Sequence, residues 1–285
     1  MTDLTDFSQA FLFDDFDVRG ELVSLNAITK TVIAAHNYPP VVANLLGELL
    51  ASCALLRSML QFDGALLLQA RSEGAIKLLL AEYQSSGTMR GVARFATDLA
   101  FSPNFNDLLQ KGVLVLTVEP KNGQRYQGII ALDQADLAAC LAQYFAQSQQ
   151  LETFFLLSFH NNCARGLLLQ QLPAQLESDE QRVQNFQHLK MLSLTLTAAE
   201  LHSLTNEQIL RRLFHQEKVR IFAPQSLRFA CSCSREKSLN ALSSLNNDEI
   251  KQLLAAQNGI ISVRCEFCNT AQFFKESDLN LMQIH

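Results

Sequence analysis

Seven cysteines are spread unevenly along the 285 residues. Cys53, Cys140 and Cys163 stand apart from one another, whereas Cys231, Cys233, Cys265 and Cys268 crowd into the last 60 residues as a C-x-C pair and a C-x-x-C pair separated by 31 residues. Four thiolates in two close pairs are what a tetrahedral Zn²⁺ site requires: soft ligands bound at about 2.3 Å, paired so that little chain entropy is lost on closure. The stretch around them is poor in apolar residues, so a bound metal would contribute much of its folding free energy. One Zn²⁺ held by these four sulfurs is the expectation.

The opening MTDLTDFSQAFLFDDFDVRGE is acidic and lacks the basic start and apolar stretch of a signal peptide. No window approaches the ~18 uninterrupted apolar residues of a membrane span. A cytoplasmic protein without a membrane partner is therefore expected. In that compartment structural disulfides are rare, and clustered cysteines signal metal or redox chemistry. With 48% hydrophobic and 18% charged residues the chain is one that folds. Its net charge of −5 supplies no general field to draw it onto nucleic acid.

The pattern predicts an α+β protein in three parts: a mixed sheet-and-helix core over residues 1–174, a helical linker over 175–226, and a small four-cysteine zinc domain over 227–285. In the core, Pro39 and Pro40 precede a periodic run (Val42, Leu45, Leu46, Leu49, Cys53, Leu56, Leu60) that reads as a helix from about 40 to 60 with one broad apolar face. Residues 65–70 and 75–82 read as a hairpin, and 89–95 and 113–119 as further strands. Asn122-Gly123 supplies the turn into a strand at 125–131. A helix over 133–147 and strands at 153–160 and 166–172 complete the core. These strands are near-continuous apolar runs, as in a sheet covered on both faces. Residues 176–217 are amphipathic but too poor in apolar surface to form their own core, so they must lie on something else. Thr205 and Gln208 form a capping box there. Near the cysteines, Ser234 and Asn247 are expected to cap two short helices, Asn258-Gly259 to end the second, and 261–264 and 271–274 to form short strands.

Two uses of the four cysteines remain open on spacing alone. An inert structural zinc module is the commoner one. Against it, C-x-C crowds two thiolates so closely that a disulfide between them closes a strained, easily reduced ring. C-x-x-C is the spacing of redox-active dithiols. Zinc would keep all four sulfurs deprotonated and open to attack by peroxide or hypochlorous acid.

The strings Phe229-Ala-Cys-Ser-Cys-Ser-Arg-Glu-Lys237 and Arg264-Cys-Glu-Phe-Cys268 resemble the C-terminal signature of the heat shock protein 33 family, redox-regulated holdase chaperones. Phe16-Asp-Val-Arg-Gly-Glu-Leu-Val23, Met89-Arg-Gly-Val-Ala-Arg94, Arg125-Tyr-Gln-Gly128 and Gly166-Leu-Leu-Leu-Gln-Gln-Leu-Pro173 resemble family motifs as well. The likeness spans almost the whole chain. It departs at Ser238, where some relatives carry a further cysteine, and at Gln272, where an aromatic is frequent. The resemblance implies that Cys231, Cys233, Cys265 and Cys268 ligate zinc in a reduced, inactive form. It further implies that oxidation pairs Cys231 with Cys233 and Cys265 with Cys268, that zinc leaves and the linker loses its order, and that the product is an ATP-independent holdase active in the stress response. Implied partners are unfolded or oxidatively damaged client proteins, cellular thiol reductants, and a second copy of the chain in an oxidised homodimer.

The alternative is a zinc-ribbon module that binds nucleic acid or serves translation with an inert zinc; the acidic charge and the lack of an aromatic-basic stripe oppose it. A thiol-disulfide oxidoreductase using Cys265 and Cys268 lacks the βαβ context of a catalytic C-x-x-C. No phosphate-binding loop occurs, and His36, His160, His188 and His202 have no triad partners nearby, so no enzyme is expected. Cys53, Cys140 and Cys163 read as core residues. His215 and His285 are not needed as ligands beside four thiolates. Arg211, Arg212, Lys218 and Arg220 read as a solvated helix end.

Overall fold

The computed structural model describes residues 6–59, 63–97 and 101–280; Leu60, at the end of the expected helix, and His285 lie outside them. The chain begins with β1 (Phe7–Phe13), β2 (Val18–Leu25), α1 (Ala27–Ala34), α2 (Pro40–Met59), β3 (Gly64–Arg71), β4 (Ile76–Gln84) and β5 (Thr88–Phe95). It continues through α3 (Phe105–Leu108), β6 (Val113–Pro120), β7 (Tyr126–Ala131), α4 (Leu137–Gln149), β8 (Thr153–His160) and β9 (Cys163–Gln171). Next come α5 (Asp179–Ser193), α6 (Ala198–Ser203) and α7 (Asn206–Leu213), then three short strands, β10 (Val219–Ile221), β11 (Gln225–Ser226) and β12 (Arg228–Phe229). All of these lie in one compact unit, Met1–Phe229; a second, Ala230–His285, holds the remainder.

Two sheets build the first unit. One runs β10-β1-β2-β9-β8 with β11 also on β1, and the other runs β12-β5-β4-β3-β6-β7. Every pairing is antiparallel except β12 with β5. Helix α2 touches β2, β8 and β9 of the first sheet and β3, β4 and β5 of the second. Val42, Leu46, Leu49, Leu50, Cys53, Leu55 and Leu56 are all buried along it. Lying between two sheets, α2 is therefore apolar nearly all round, where periodicity suggested one face. Among the described residues it is the one helix long and apolar enough to cross a membrane, yet 72% of that window is buried in this core. Its approach to the first sheet is close: a Cβ on Gly47 would sit 2.2 Å from the Phe159 ring, and one on Gly166 2.8 Å from Leu55.

The amphipathic linker lies on the other face of the first sheet. Phe186, Leu189, Leu201, Ile209, Leu213 and Phe214 bury there against Phe11, Phe13, Val18, Leu22, Leu167 and Leu169. That sheet is thus covered on both sides, which is why β2 and β9 are almost wholly buried. The second sheet is not: along β7 buried and exposed residues alternate, and Tyr126 and Ile129 face solvent. Thr205 caps α7 in the expected box with Gln208, and equivalent boxes open α5 (Ser178, Gln181) and α6 (Thr197, Glu200). The linker is helical only as far as Leu213; beyond it the chain adds strands to both sheets. Strands of two or three residues leave no period to read. For the same reason Lys218 and Arg220 are not a solvated helix end: they pair with Asp15 and Asp14 beside β1.

Candidate metal centre

The second unit consists of α8 (Arg235–Ser243), α9 (Asn247–Ala256), a hairpin of β13 (Ile260–Arg264) and β14 (Ala271–Lys275), and α10 (Glu276–Asn280). Ser234 caps α8 by accepting a hydrogen bond from Lys237 N at 3.1 Å. Asn246, one residue earlier than expected, caps α9 in a box with Glu249. Asn258 and Gly259 end that helix in the left-handed region, at φ 54° and 83°. Among the described residues of this unit the buried core consists of Leu242, Ile261, Phe274 and Leu279. Arg235 braces that small core: its guanidinium stacks 4.5 Å from the Phe274 ring centre, donates to Phe273 O at 2.7 Å and pairs with Asp278 at 2.9 Å.

Both cysteine pairs are placed by local backbone structure. Arg264 lies opposite Ala271, so residues 265–270 form the hairpin loop. Cys265 N donates to Thr270 O at 3.0 Å and Asn269 N donates to Cys265 O at 2.8 Å, with Asn269 at φ 56°. That tight return presents Cys265 and Cys268 together. Cys231 and Cys233 precede the Ser234 cap, and Lys237 Nζ donates to Ser232 O at 2.8 Å. The C-x-C pair thus leads directly into the start of α8.

All four Sγ atoms lie within 4.8 Å of one another, with Cys231 3.6 Å from Cys265 and Cys233 3.4 Å from Cys268. At a Zn–S length of about 2.3 Å a regular tetrahedron of sulfurs has edges of about 3.8 Å, so the donor set fits the ion in number, softness and spacing. Among the described residues no other group of three or more His, Cys, Asp or Glu side chains converges in this way, and His215 is not part of it.

Without metal, burial and neighbouring groups set how Cys231, Cys233 and Cys268 hold their protons. Burial, with hydrogen bonds that the Cys233 thiol donates to the neighbouring sulfurs, pushes Cys233 up to about 12, and burial also raises Cys231. Burial opposes ionisation of Cys268 too, but the hydroxyl and N–H of Thr270 and the Cys233 and Cys231 thiols outweigh it and bring Cys268 down to about 6. Thr270 Oγ1 sits 3.2 Å from that sulfur. Thr270 and Arg235 were missed as supporting residues by the sequence reading. A hydroxyl two residues after C-x-x-C was the available signal for the first; nothing local marks the second.

The three remaining cysteines lie elsewhere. Cys53 and Cys140 are buried, and burial raises both thiols. Cys163, expected in the core, is only partly buried because it starts β9 at the hairpin turn, opposite His160.

A family model described as Hsp33 protein matches residues 6–275. The chain belongs to the Hsp33 family. Among Hsp33 relatives, the 33 kDa chaperonin of Pseudomonas aeruginosa strain LESB58 is 52% identical over 277 residues, covering 96% of this chain and 93% of that one. The 33 kDa chaperonin of Pseudomonas fluorescens strain Pf-5 is 52% identical over 283 residues, covering 98% and 94%. A crystal structure of the 33 kDa chaperonin (Hsp33 homologue) of Thermotoga maritima superposes with a TM-score of 0.82 over 97% of both chains at 21% identity, which establishes the shared Hsp33 fold.

Proposed function

We propose that this chain is a cytoplasmic, redox-regulated holdase that works without ATP or a catalytic step: quiescent while its cysteines are reduced and metal-bound, and able to hold unfolding proteins once they are oxidised. The observation that carries this reading is a four-sulfur cluster in a unit whose described residues include four buried core side chains, within an Hsp33 chain. In this reading residues 1–174 bind clients, 175–226 form the responsive linker and 227–285 sense the oxidant.

Cys231, Cys233, Cys265 and Cys268 would hold one Zn²⁺, which keeps all four sulfurs as thiolates and ties the two cysteine pairs together. In each disulfide-forming step two thiols give two electrons and two protons to peroxide, one S–S bond forms, the O–O bond breaks, and two waters leave. The family resemblance supports the pairs Cys231 with Cys233 and Cys265 with Cys268. Sulfurs so paired no longer offer thiolates to a metal. Leu242, Ile261, Phe274 and Leu279 alone are too small a core to keep the second unit folded. Loss of order then spreads along the chain into the linker, whose release uncovers Phe186 and Phe214 together with the sheet face of Phe11, Phe13 and Leu167. Apolar area of that extent binds unfolded chains, or a second oxidised copy. Cellular thiol reductants reverse the change by reducing the disulfides.

The test follows metal and activity together. Reduced, zinc-loaded protein treated with peroxide under mildly unfolding conditions should release its metal and begin to suppress light scattering by a denatured client. Cys268→Ser should retain metal poorly from the outset, while Cys53→Ser should retain it fully. Metal that stays bound through oxidation would mean an inert structural site, and metal release without suppression of aggregation would defeat the chaperone reading.

A further inference from the structure

Residues 219–229 cover one edge of each sheet in the first unit, the β1 edge and the β5 edge, while β8 and β7 form the opposite edges. β10 and β11 lie along β1, with Phe11 opposite Ile221, Leu12 opposite Arg220 and Phe7 opposite Ser226. β12 then joins the other sheet in parallel, Arg228 opposite Thr88 and Phe229 opposite Met89 on β5. Apart from this segment, β1 pairs only with β2 and β5 only with β4 among the described residues. Phe222 N donates to Ala10 O at 3.0 Å, and Asp14 N donates to Lys218 O at 2.9 Å. Strand alternation therefore points the amides of Ala10, Leu12 and Asp14 outward, toward whatever lies along this edge, and those of Phe11 and Phe13 inward to β2.

The side chains of the covering segment describe what these edges accept. Val219 packs against the cluster that contains Phe11, Phe13 and Phe214. Leu227 is buried in the cluster around α2, and Phe229 packs against it. At the end of β1, Asp15 pairs with Lys218 at 3.1 Å and Asp14 pairs with Arg220. The segment is thus an extended, intermittently apolar, partly basic peptide, held by strands of two or three residues. Only Ala230 separates it from Cys231 in the chain.

We infer that β1 and β5 are strand-addition sites for unfolded clients, occupied in the reduced form by residues 219–229 in the place a client takes. The inference rests on the chaperone reading and specifies its surface and its partner: an extended polypeptide with apolar residues at alternate positions and a Lys or Arg where it meets Asp14 and Asp15. A bare edge offers a row of N–H and C=O groups that pair with any extended backbone, whatever its side chains. That tolerance suits a holdase, whose clients share nothing but being unfolded. A covering strand of two or three residues makes few hydrogen bonds and gives way to a longer client segment once its C-terminal anchor is gone.

Hydrogen exchange on the full-length protein reads this residue by residue. On oxidation the amides of Leu12 and Asp14 should lose protection, and added unfolded client should restore it, while Phe11 and Phe13 stay protected throughout. A peptide of residues 217–229 should compete with client for the oxidised protein. The same peptide N-methylated at Arg220 and Phe222 lacks the donors that face β1 and should compete about tenfold less well. Equal competition by the two peptides overturns the inference. So does an oxidised protein that holds client while Leu12 and Asp14 either stay protected without client or stay exposed with it. Edges that open on oxidation in a protein that holds no client would instead overturn the chaperone reading on which the inference stands.

Discussion

Stripping the metal from the reduced protein with a strong chelator should melt the second unit while leaving the two sheets and α2 of the first folded. Structural zinc bound by four thiolates contributes on the order of 10 kcal/mol, comparable with the whole stability of an ordinary domain. Against that, the second unit has four buried apolar side chains and a cation stacked on one of them. The first unit has its own cores on both faces of the β1-β2-β9-β8 sheet, so its sheets are expected to stay folded without metal. Amide exchange or heteronuclear NMR should accordingly show residues 231–279 losing protection and dispersion together, with the α2 amides unchanged. Readdition of zinc should restore them. A second unit that keeps its exchange protection without metal would mean that hairpin and helices suffice, and oxidation would then have no lever.

The second large effect is expected at a residue far in sequence from any cysteine of the cluster. Phe214 is buried at the end of α7, edge-on to Phe13 with ring centres 5.0 Å apart and 6.3 Å from Phe11. Phe214→Ala should remove about 3–5 kcal/mol of packing. The loss falls on α5 to α7, whose grip on the sheet depends on eight such side chains, Phe214 included. The reduced variant, with its metal still bound, should therefore suppress client aggregation without any oxidant, and should show raised exchange across residues 179–213. Zinc content measured alongside separates this from accidental damage to the metal site. If those helices exchange freely while the reduced variant still fails to hold client, release of the linker is not what activates the protein.

Much of this was legible in the sequence because the informative features are local. The four ligand candidates are read from spacing, the Asn258-Gly259 helix stop from backbone preference, and the Thr205 box from two side chains three residues apart. Strands β3 to β9 announced themselves as apolar runs punctuated by turns. What escaped was set by distant partners. The β1 strand lies in a segment whose acidic residues hid it, and Asp14 and Asp15 are explained only by Arg220 and Lys218, some 200 residues away. The covering of the first sheet alone on both faces depends on where the linker lies, which no period reveals. The all-round burial of α2 likewise follows from its position between two sheets and not from its own pattern.

The capping boxes have a consequence for the return journey. Each of α5, α6 and α7 begins with one: Ser178 with Gln181, Thr197 with Glu200, Thr205 with Gln208. These contacts span three residues and need no sheet to form, so a detached linker keeps transient helical turns at the right places in its sequence. Nucleation, the slow step of helix formation, is then already biased, and redocking needs only short-range contacts to be completed by the sheet. A chaperone has to let go as well as hold. On the proposed reading, helix starts written into the linker itself would give a detached chain a fast way home once the disulfides are reduced, so that client release could keep pace with reduction.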